Sequence, residues 1–256
     1  MSIELPDGME PLRAFIESHR RDCWVPVVQS GDGPLDASKF SGTPWLQEGE
    51  SWPRCMCCGK PMQLFAQVNF GTTPKATQKQ FGSRLFQVFL CIEGECLYVE
   101  TTTPCWLVRF TDGTNQADRI VTPKFRNPLP PKQIIQWAHK DDYPDHPDLE
   151  DAGLAFPDSG DVIRCPSINF EAEAPFDDYL ALSHVVSGEK IGGWPKWSNI
   201  STVYPSCPKC SNPMNEMVFQ IGCEDNIPYM LGDGGTAQVV RCQDHPDTLE
   251  FTWSCG

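Results

Sequence analysis

Nothing in these 256 residues approaches the roughly 20 consecutive apolar positions that a membrane-spanning helix needs. The opening stretch, MSIELPDGMEPLRAF, is acidic and has no apolar core segment, so no signal peptide is expected and a cytoplasmic home is the default. Runs of Lys and Arg are missing as well. Twenty basic side chains stand against 34 acidic ones, a formal net charge of −14. Such a chain repels a phosphate backbone unless a basic patch is focused on one face, so direct nucleic-acid binding is not expected. The acidic balance suits a basic protein partner, or solubility alone. Also lacking are G-x-S-x-G, H-E-x-x-H and the phosphate-cradling GxxxxGK[ST]. With no recognisable nucleophile and base, the expectation is a protein that is not an enzyme.

Cysteine is what the chain has in quantity: 13 residues. In a reducing compartment, close cysteine pairs read first as metal ligands or redox motifs rather than disulfides. Asn199-Ile-Ser201 fits the glycosylation pattern, which carries no meaning without secretion.

The chain also contains itself twice. ASKFSGTPWL from Ala37 aligns with GEKIGGWPKW from Gly188, with Lys39 on Lys190, Gly42 on Gly193 and Pro44 on Pro195. Downstream, PRCMCCGKPM from Pro53 aligns with PSCPKCSNPM from Pro205. After a one-residue slip Gln67 falls on Gln220, and later Cys91 meets Cys242. This collinear order implies an internal duplication.

Short segments rich in Val, Phe and Leu read as strands: QLFAQVNF, LFQVFLCI, CWLVRF, AQVVRC and LEFTWS. The 24 prolines and 20 glycines punctuate them. EPLRAFIESHRR, PPKQIIQWAHK and PFDDYLALSHVV read as helices, opened by prolines or acidic residues. The fold class expected is α+β, β-rich, an internal duplication of a β-sheet unit with zinc-ribbon-like cysteine knuckles. The expected organisation is an N-terminal helix and lead-in (1–36), a first β-rich repeat (37–128), an acidic connection with helices (129–187, Pro-rich over 141–178) and a second β-rich repeat (188–256).

Tetrahedral zinc is commonly held by two short loops from separate points in the chain. The first half offers Cys55 and Cys58, then Cys91 and Cys96; the second offers Cys207 and Cys210, then Cys242 and His245. Up to two structural zinc ions are expected. Cys57 is a spare beside the first pair and Cys255 a reserve for His245. A redox site would place its Cys-x-x-Cys at a helix start, whereas a Pro-Met turn and an apolar strand follow here. Cys23, Cys105, Cys165 and Cys223 read as buried small hydrophobes. Gly232-Asp-Gly-Gly235 reads as a tight turn. His139, His146 and His184 stand apart. Asp141-Asp142 and Asp177-Asp178 read as solvated loop and helix-start charges. Trp45, Trp194 and Trp197 flank the repeated glycine-proline turns. They are core anchors or, for Trp45 and Trp194, part of an apolar binding patch.

The run SKFSGTPWL, WPRC, CGKPMQLFAQVN, followed by KIGGWPKW, CPKC, FQIG, GDGG and RCQDHPDTLEFTWSC, resembles the YwqG-like family (domain of unknown function 1963) from about Ala37 to the end. The first half is also similar to the zinc-containing domain of programmed cell death protein 2 and its yeast relative Tsr4. Leu231 stands before GDGG where relatives often carry Trp. The resemblance implies a duplicated β-rich fold. For the eukaryotic branch it implies a chaperone role toward a small-subunit ribosomal protein, and for the YwqG branch roles in RNA metabolism or toxin immunity. The functional expectation is a non-catalytic, protein-binding or chaperone-like module for a basic client. A toxin-immunity protein, or an enzyme or RNA-processing factor with an unrecognised site, is the alternative.

Overall fold

The computed structural model describes residues 3–94, 96–98, 104–155, 162–198, 204–223 and 225–255. The Asn199-Ile-Ser201 pattern lies outside them. The fold is mostly β, built on a near-closed ten-stranded sheet. At its middle runs a long antiparallel ribbon of β1 (Arg21–Ser30) and β6 (Lys132–Asp142). On one flank lie β2 (Lys39–Phe40), β3 (Gln63–Asn69), β4 (Leu85–Leu90) and β5 (Trp106–Thr111). On the other lie β9 (Lys190–Gly192), β10 (Glu216–Ile221), β11 (Thr236–Arg241) and β12 (Leu249–Ser254). The outer strands β5 and β12 come together, with the Trp106 and Phe251 rings 5.2 Å apart.

The five sequence-read strands form as expected; every residue of β4 and β11 and nearly all of β3 is buried, while β5 and most of β12 are half-buried. One large core takes side chains from both flanks: Phe219 meets Phe86 at 6.0 Å and Phe40 at 6.3 Å between ring centres. The flanks share local detail. The register of β3 against β4 shifts between Leu64 and Ala66, and that of β10 against β11 between Met217 and Phe219. In each flank a buried polar row crosses the strands, Lys39–Gln67–Gln87 on one side and Lys190–Gln220–Gln238 on the other, all 0% exposed.

Loops above these rows supply most of their hydrogen bonds, and Gln238 Oε1 is left without one. Gln67 Oε1 accepts the Trp45 N–H and Gln220 Oε1 accepts the Lys196 N–H. Lys39 Nζ donates to Asp32 at 2.7 Å, and Lys190 Nζ to Asp142 at 2.7 Å. Each carboxylate also accepts a backbone N–H just beyond the lysine, from Thr43 and Trp194 respectively. Gly42 and Gly193 are required there. Both have positive φ, and a Cβ would sit 2.3 Å from Asp32 Oδ1 or 2.0 Å from Asp142 Oδ2. The reading of Asp142 as a solvated loop charge is therefore corrected: it is fully buried and anchors three donors.

PPKQIIQWAHK, expected as a helix, is strand β6. Its Ile134-Ile135 and Trp137 suit a pleated surface, and pairing with β1 along the whole ribbon decides the conformation. EPLRAFIESHRR ends sooner than expected, as a 3-10 turn over Glu10–Leu12 and α1 (Arg13–Ser18). PFDDYLALSHVV forms only α4 (Phe176–Leu180). Beyond it, the Ser183 hydroxyl and Val186 N–H donate to Asp145 and Asp142, which pull the chain out of helix. The stretch read as a connection holds structure of its own: α3 (His146–Asp151) and a hairpin of β7 (Val162–Cys165) and β8 (Phe170–Glu173). With α1 these elements enclose a second core around Leu12, Ile16, Leu149, Ile163 and Leu182. One further helix, α2 (Lys75–Phe81), links β3 to β4. Among the described residues no helix is long and apolar enough to cross a membrane.

Candidate metal centres

Each cysteine group sits at the same end of a two-strand unit. Residues 54–61 form a knuckle closed by the Arg54–Pro61 bridge, in which the Cys55 N–H donates to Lys60 O and the Gly59 N–H to Cys55 O, both at 2.8 Å. Residues 206–213 repeat it. The Ser206–Pro213 bridge closes the turn, the Cys207 N–H donates to Asn212 O and the Ser211 N–H to Cys207 O, again at 2.8 Å. Both turns need a left-handed residue at the same place. Gly59 supplies it at φ 71°, while Ser211 adopts φ 63° with a side chain. The second pair of donors comes from the loop beyond the neighbouring strand: Cys91 and Cys96 after β4, Cys242 and His245 after β11.

The four donors of each group converge. In each, the sulfur and ring-nitrogen atoms all lie within 4.8 Å of one another. Cys58 Sγ is 3.6 Å from Cys91 Sγ, Cys210 Sγ 3.6 Å from Cys242 Sγ, and His245 Nδ1 3.7 Å and 3.6 Å from Cys207 and Cys242 Sγ. A tetrahedral ion with metal–sulfur bonds of about 2.3 Å sets its ligand atoms about 3.8 Å apart. Both groups could therefore hold a metal ion. Each combines an easily ionised thiol with reluctant ones. In the first, Cys58 is lowered, against the pull of burial, by the Lys60 backbone N–H and neighbouring thiols. Burial pushes Cys91 up to about 12, helped by Cys58 and Cys55. In the second, burial again opposes the shift, yet the N–H groups of Lys209 and Cys210 take Cys207 down to about 6. A bound cation would expel the remaining protons.

The other sequence-read thiols fall into place. Cys255 follows β12, whose Ser254 faces Thr236 at the start of β11, so it lies at the opposite end from Cys242 and does not replace His245. Cys23, Cys105 and Cys165 are buried as expected; Cys223 is half-buried. Cys57 is exposed. Gly232–Gly235 forms a tight turn, closed by the Gly235 N–H on Leu231 O.

The expected binding pair is corrected. Trp45 is 1% exposed and belongs to the interior of the first flank. Trp194, on the other flank, is covered by the Arg21 guanidinium 3.3 Å from its ring centre and donates through Nε1 to His19 O. The two do not form a surface patch. Trp197 is buried, its Nε1 donating to Asp148.

Sequence reasoning missed the grouping of Asp22, His139 and Asp141, whose donor atoms also lie within 4.8 Å of one another. Arg20 already bridges both carboxylates of that group. It missed too the three buried aspartates Asp142, Asp145 and Asp148, which tether the GGWPKW loop. Their regular three-residue spacing within one stretch was the available signal.

A mostly β fold carrying two four-donor cysteine clusters on matching turns defines the class. The model of one family matches residues 38–251, a span that takes in both clusters. The chain belongs to that family, DUF1963, a domain of unknown function. Among curated proteins no match is found.

Proposed function

We propose that this protein is a non-catalytic, protein-binding module of chaperone-like character, its fold braced by two structural zinc ions. The observation that carries the reading is the closure of both clusters: Cys55, Cys58, Cys91 and Cys96 in one, Cys207, Cys210, Cys242 and His245 in the other. Four thiolate or imidazole donors suit zinc and fill its tetrahedron, which leaves no position for an activated water. Each ion ties a knuckle to a loop more than 30 residues away in sequence, so its binding energy goes into fixing strand ends.

The shared bulges, polar rows and knuckles support an origin of the two flanks by duplication. The paired order of Lys39, Gly42 and Cys55 with Lys190, Gly193 and Cys207 supports a relationship to programmed cell death protein 2 and Tsr4, and with it a role in ribosomal-protein handling in the cytoplasm. The net charge of −14 supports a basic client, drawn in by long-range attraction that salt screens over about 8 Å.

The test has two parts. Elemental analysis of metal-replete protein should give two zinc per chain, falling to one in Cys55→Ser and in Cys207→Ser; well under one in the parent removes the metal reading. Titration with basic ribosomal proteins and with single-stranded RNA at several salt concentrations should give protein binding whose on-rate falls as salt rises. Tight RNA binding with a steep salt slope, and no protein partner, would overturn the client reading.

A further inference from the structure

A cavity of about 420 Å³ opens where α2 of the first flank meets the starts of β1 and β10. Gln80 on α2 ties the two sides together. Its Nε2 donates to Glu216 at 2.9 Å, and its backbone oxygen accepts from Arg241 at 2.7 Å. The charges around this cavity are spoken for, with one exception. Arg20 and His139 hold Asp22, at 3.1 Å and 2.9 Å. Arg241 holds Glu216 through two bonds of 2.6 Å and 3.0 Å. Arg21 is the exception. It lines the cavity half-buried, its guanidinium held 3.3 Å over the Trp194 ring. Among the described residues it has no ion pair, and its one hydrogen bond is a long one, 3.5 Å from Nη1 to Gly193 O. Most of its N–H donors are therefore unspent. Burial lowers its pKa, and the pull of Tyr204, Asp148 and Asp142 offsets this only in part. A guanidinium stays charged even so.

We propose that this cavity binds a carboxylate flanked by an amide, the group shared by a peptide C-terminus and a small N-acylated amino acid. The planar fork of Arg21 matches a planar carboxylate through two parallel hydrogen bonds. The Trp194 ring fixes that fork in advance, so little rotamer freedom is lost on binding. One unpaired guanidinium balances one negative charge. Asp22 and Glu216 in the same wall disfavour a dianion such as phosphate. The amide is read by two further side chains. Gln243 Nε2 donates to Asn215 Oδ1 at 3.3 Å. Among the described residues this leaves Asn215 Nδ2 to donate to the ligand's amide oxygen and Gln243 Oε1 to accept its N–H. Trp24 and Met217, both buried, supply the apolar part of the wall. The cavity's volume falls in the range of small-ligand sites, roughly 300–1,000 Å³.

The experiment labels the arginines of the full chain with nitrogen-15 and follows the Arg21 Nε–H signal by NMR at constant ionic strength. The probes are N-acetylglycine, N-acetylglycinamide, a short peptide with a free C-terminus, the same peptide amidated, and inorganic phosphate. Both free carboxylates should shift the Arg21 signal to saturation, and their amidated forms should leave it in place. A peptide bound on the order of tenfold tighter than N-acetylglycine identifies a protein C-terminus as the source; equal or weaker peptide binding identifies a small acid. Arg21→Lys should weaken binding on the order of tenfold, because an ammonium cannot hold both oxygens in one plane. Asn215→Ala leaves the guanidinium in place and should weaken it several-fold. The parent titration needs no variant to fold. Saturable shifts from the amidated probes, tighter binding of phosphate than of N-acetylglycine, or an unmoved Arg21 signal would overturn the proposal.

Discussion

Removing the carboxylate of Asp142 should nearly unfold this protein. Asp142 and Lys190 are each 0% exposed and meet at 2.7 Å. The same carboxylate accepts the Val186 N–H at 2.6 Å and the Trp194 N–H at 2.8 Å. Asp142→Ala strands a buried ammonium, and breaking such a pair from one side costs about 3–5 kcal/mol. Each orphaned N–H adds about 1–3 kcal/mol, less whatever water regains as the loop relaxes. A loss of roughly 4–6 kcal/mol is expected, against a total of about 5–15 kcal/mol for a domain. At about 2–4 °C per kcal/mol for a chain of this size, Tm should fall by roughly 10–20 °C. Asp32→Ala is the internal control. Lys39 is equally buried, but the Asp32 side chain is 35% exposed, so water can take its place; about 1–2 kcal/mol is expected. Lys190→Met placed in the Asp142→Ala background should recover part of the loss by removing the stranded charge. Urea midpoints read by tryptophan fluorescence, with zinc present throughout, measure all four. A loss below about 1 kcal/mol for Asp142→Ala, or no recovery in the double variant, would refute the reasoning.

Two other outcomes follow from buried groups and from backbone strain. Asp148 is raised to about 6, chiefly by burial, with Trp197 and Tyr204 opposing as donors. Its folded value lies above the unfolded one, so its contribution is present below about pH 4 and is lost as pH rises through 6. Tm measured from pH 4 to 7 should therefore carry a downward component that Asp148→Asn removes, close to one proton's worth; an unchanged profile in the variant would rule this out. Ser211 holds φ 63° in the second knuckle, where the first uses Gly59. Ser211→Gly should raise the stability of the zinc-loaded protein by about 0.5–1 kcal/mol, and a lower urea midpoint would contradict the strain argument.

What the sequence determined by itself is local or repeated. The cysteine spacings marked both clusters, since a knuckle is a short turn whose geometry depends on adjacent residues. The collinear order of Lys39 and Lys190, Gly42 and Gly193, and Gln67 and Gln220 marks residues that take matching places in the two flanks. The apolar runs of β3, β4 and β11 became strands because burial on both faces selects for Val, Phe and Leu without help from context. Tertiary structure decided the rest. PPKQIIQWAHK carries a proline-led start and mixed polarity that suit a helix, and only its partner β1, more than 100 residues away, makes it a strand. Asp142 looks like a surface charge in a run of polar residues. It is a core group because Lys190, 48 residues on, comes to it. Cys255 is near the cluster in sequence and far from it in space, since antiparallel pairing of β12 with β11 carries it to the opposite end. Trp45 is an interior residue because Gln67 and Gln87 bind its backbone from below. In each case the deciding energy is a pairing between distant segments, and a linear pattern holds no record of which distant segment will arrive.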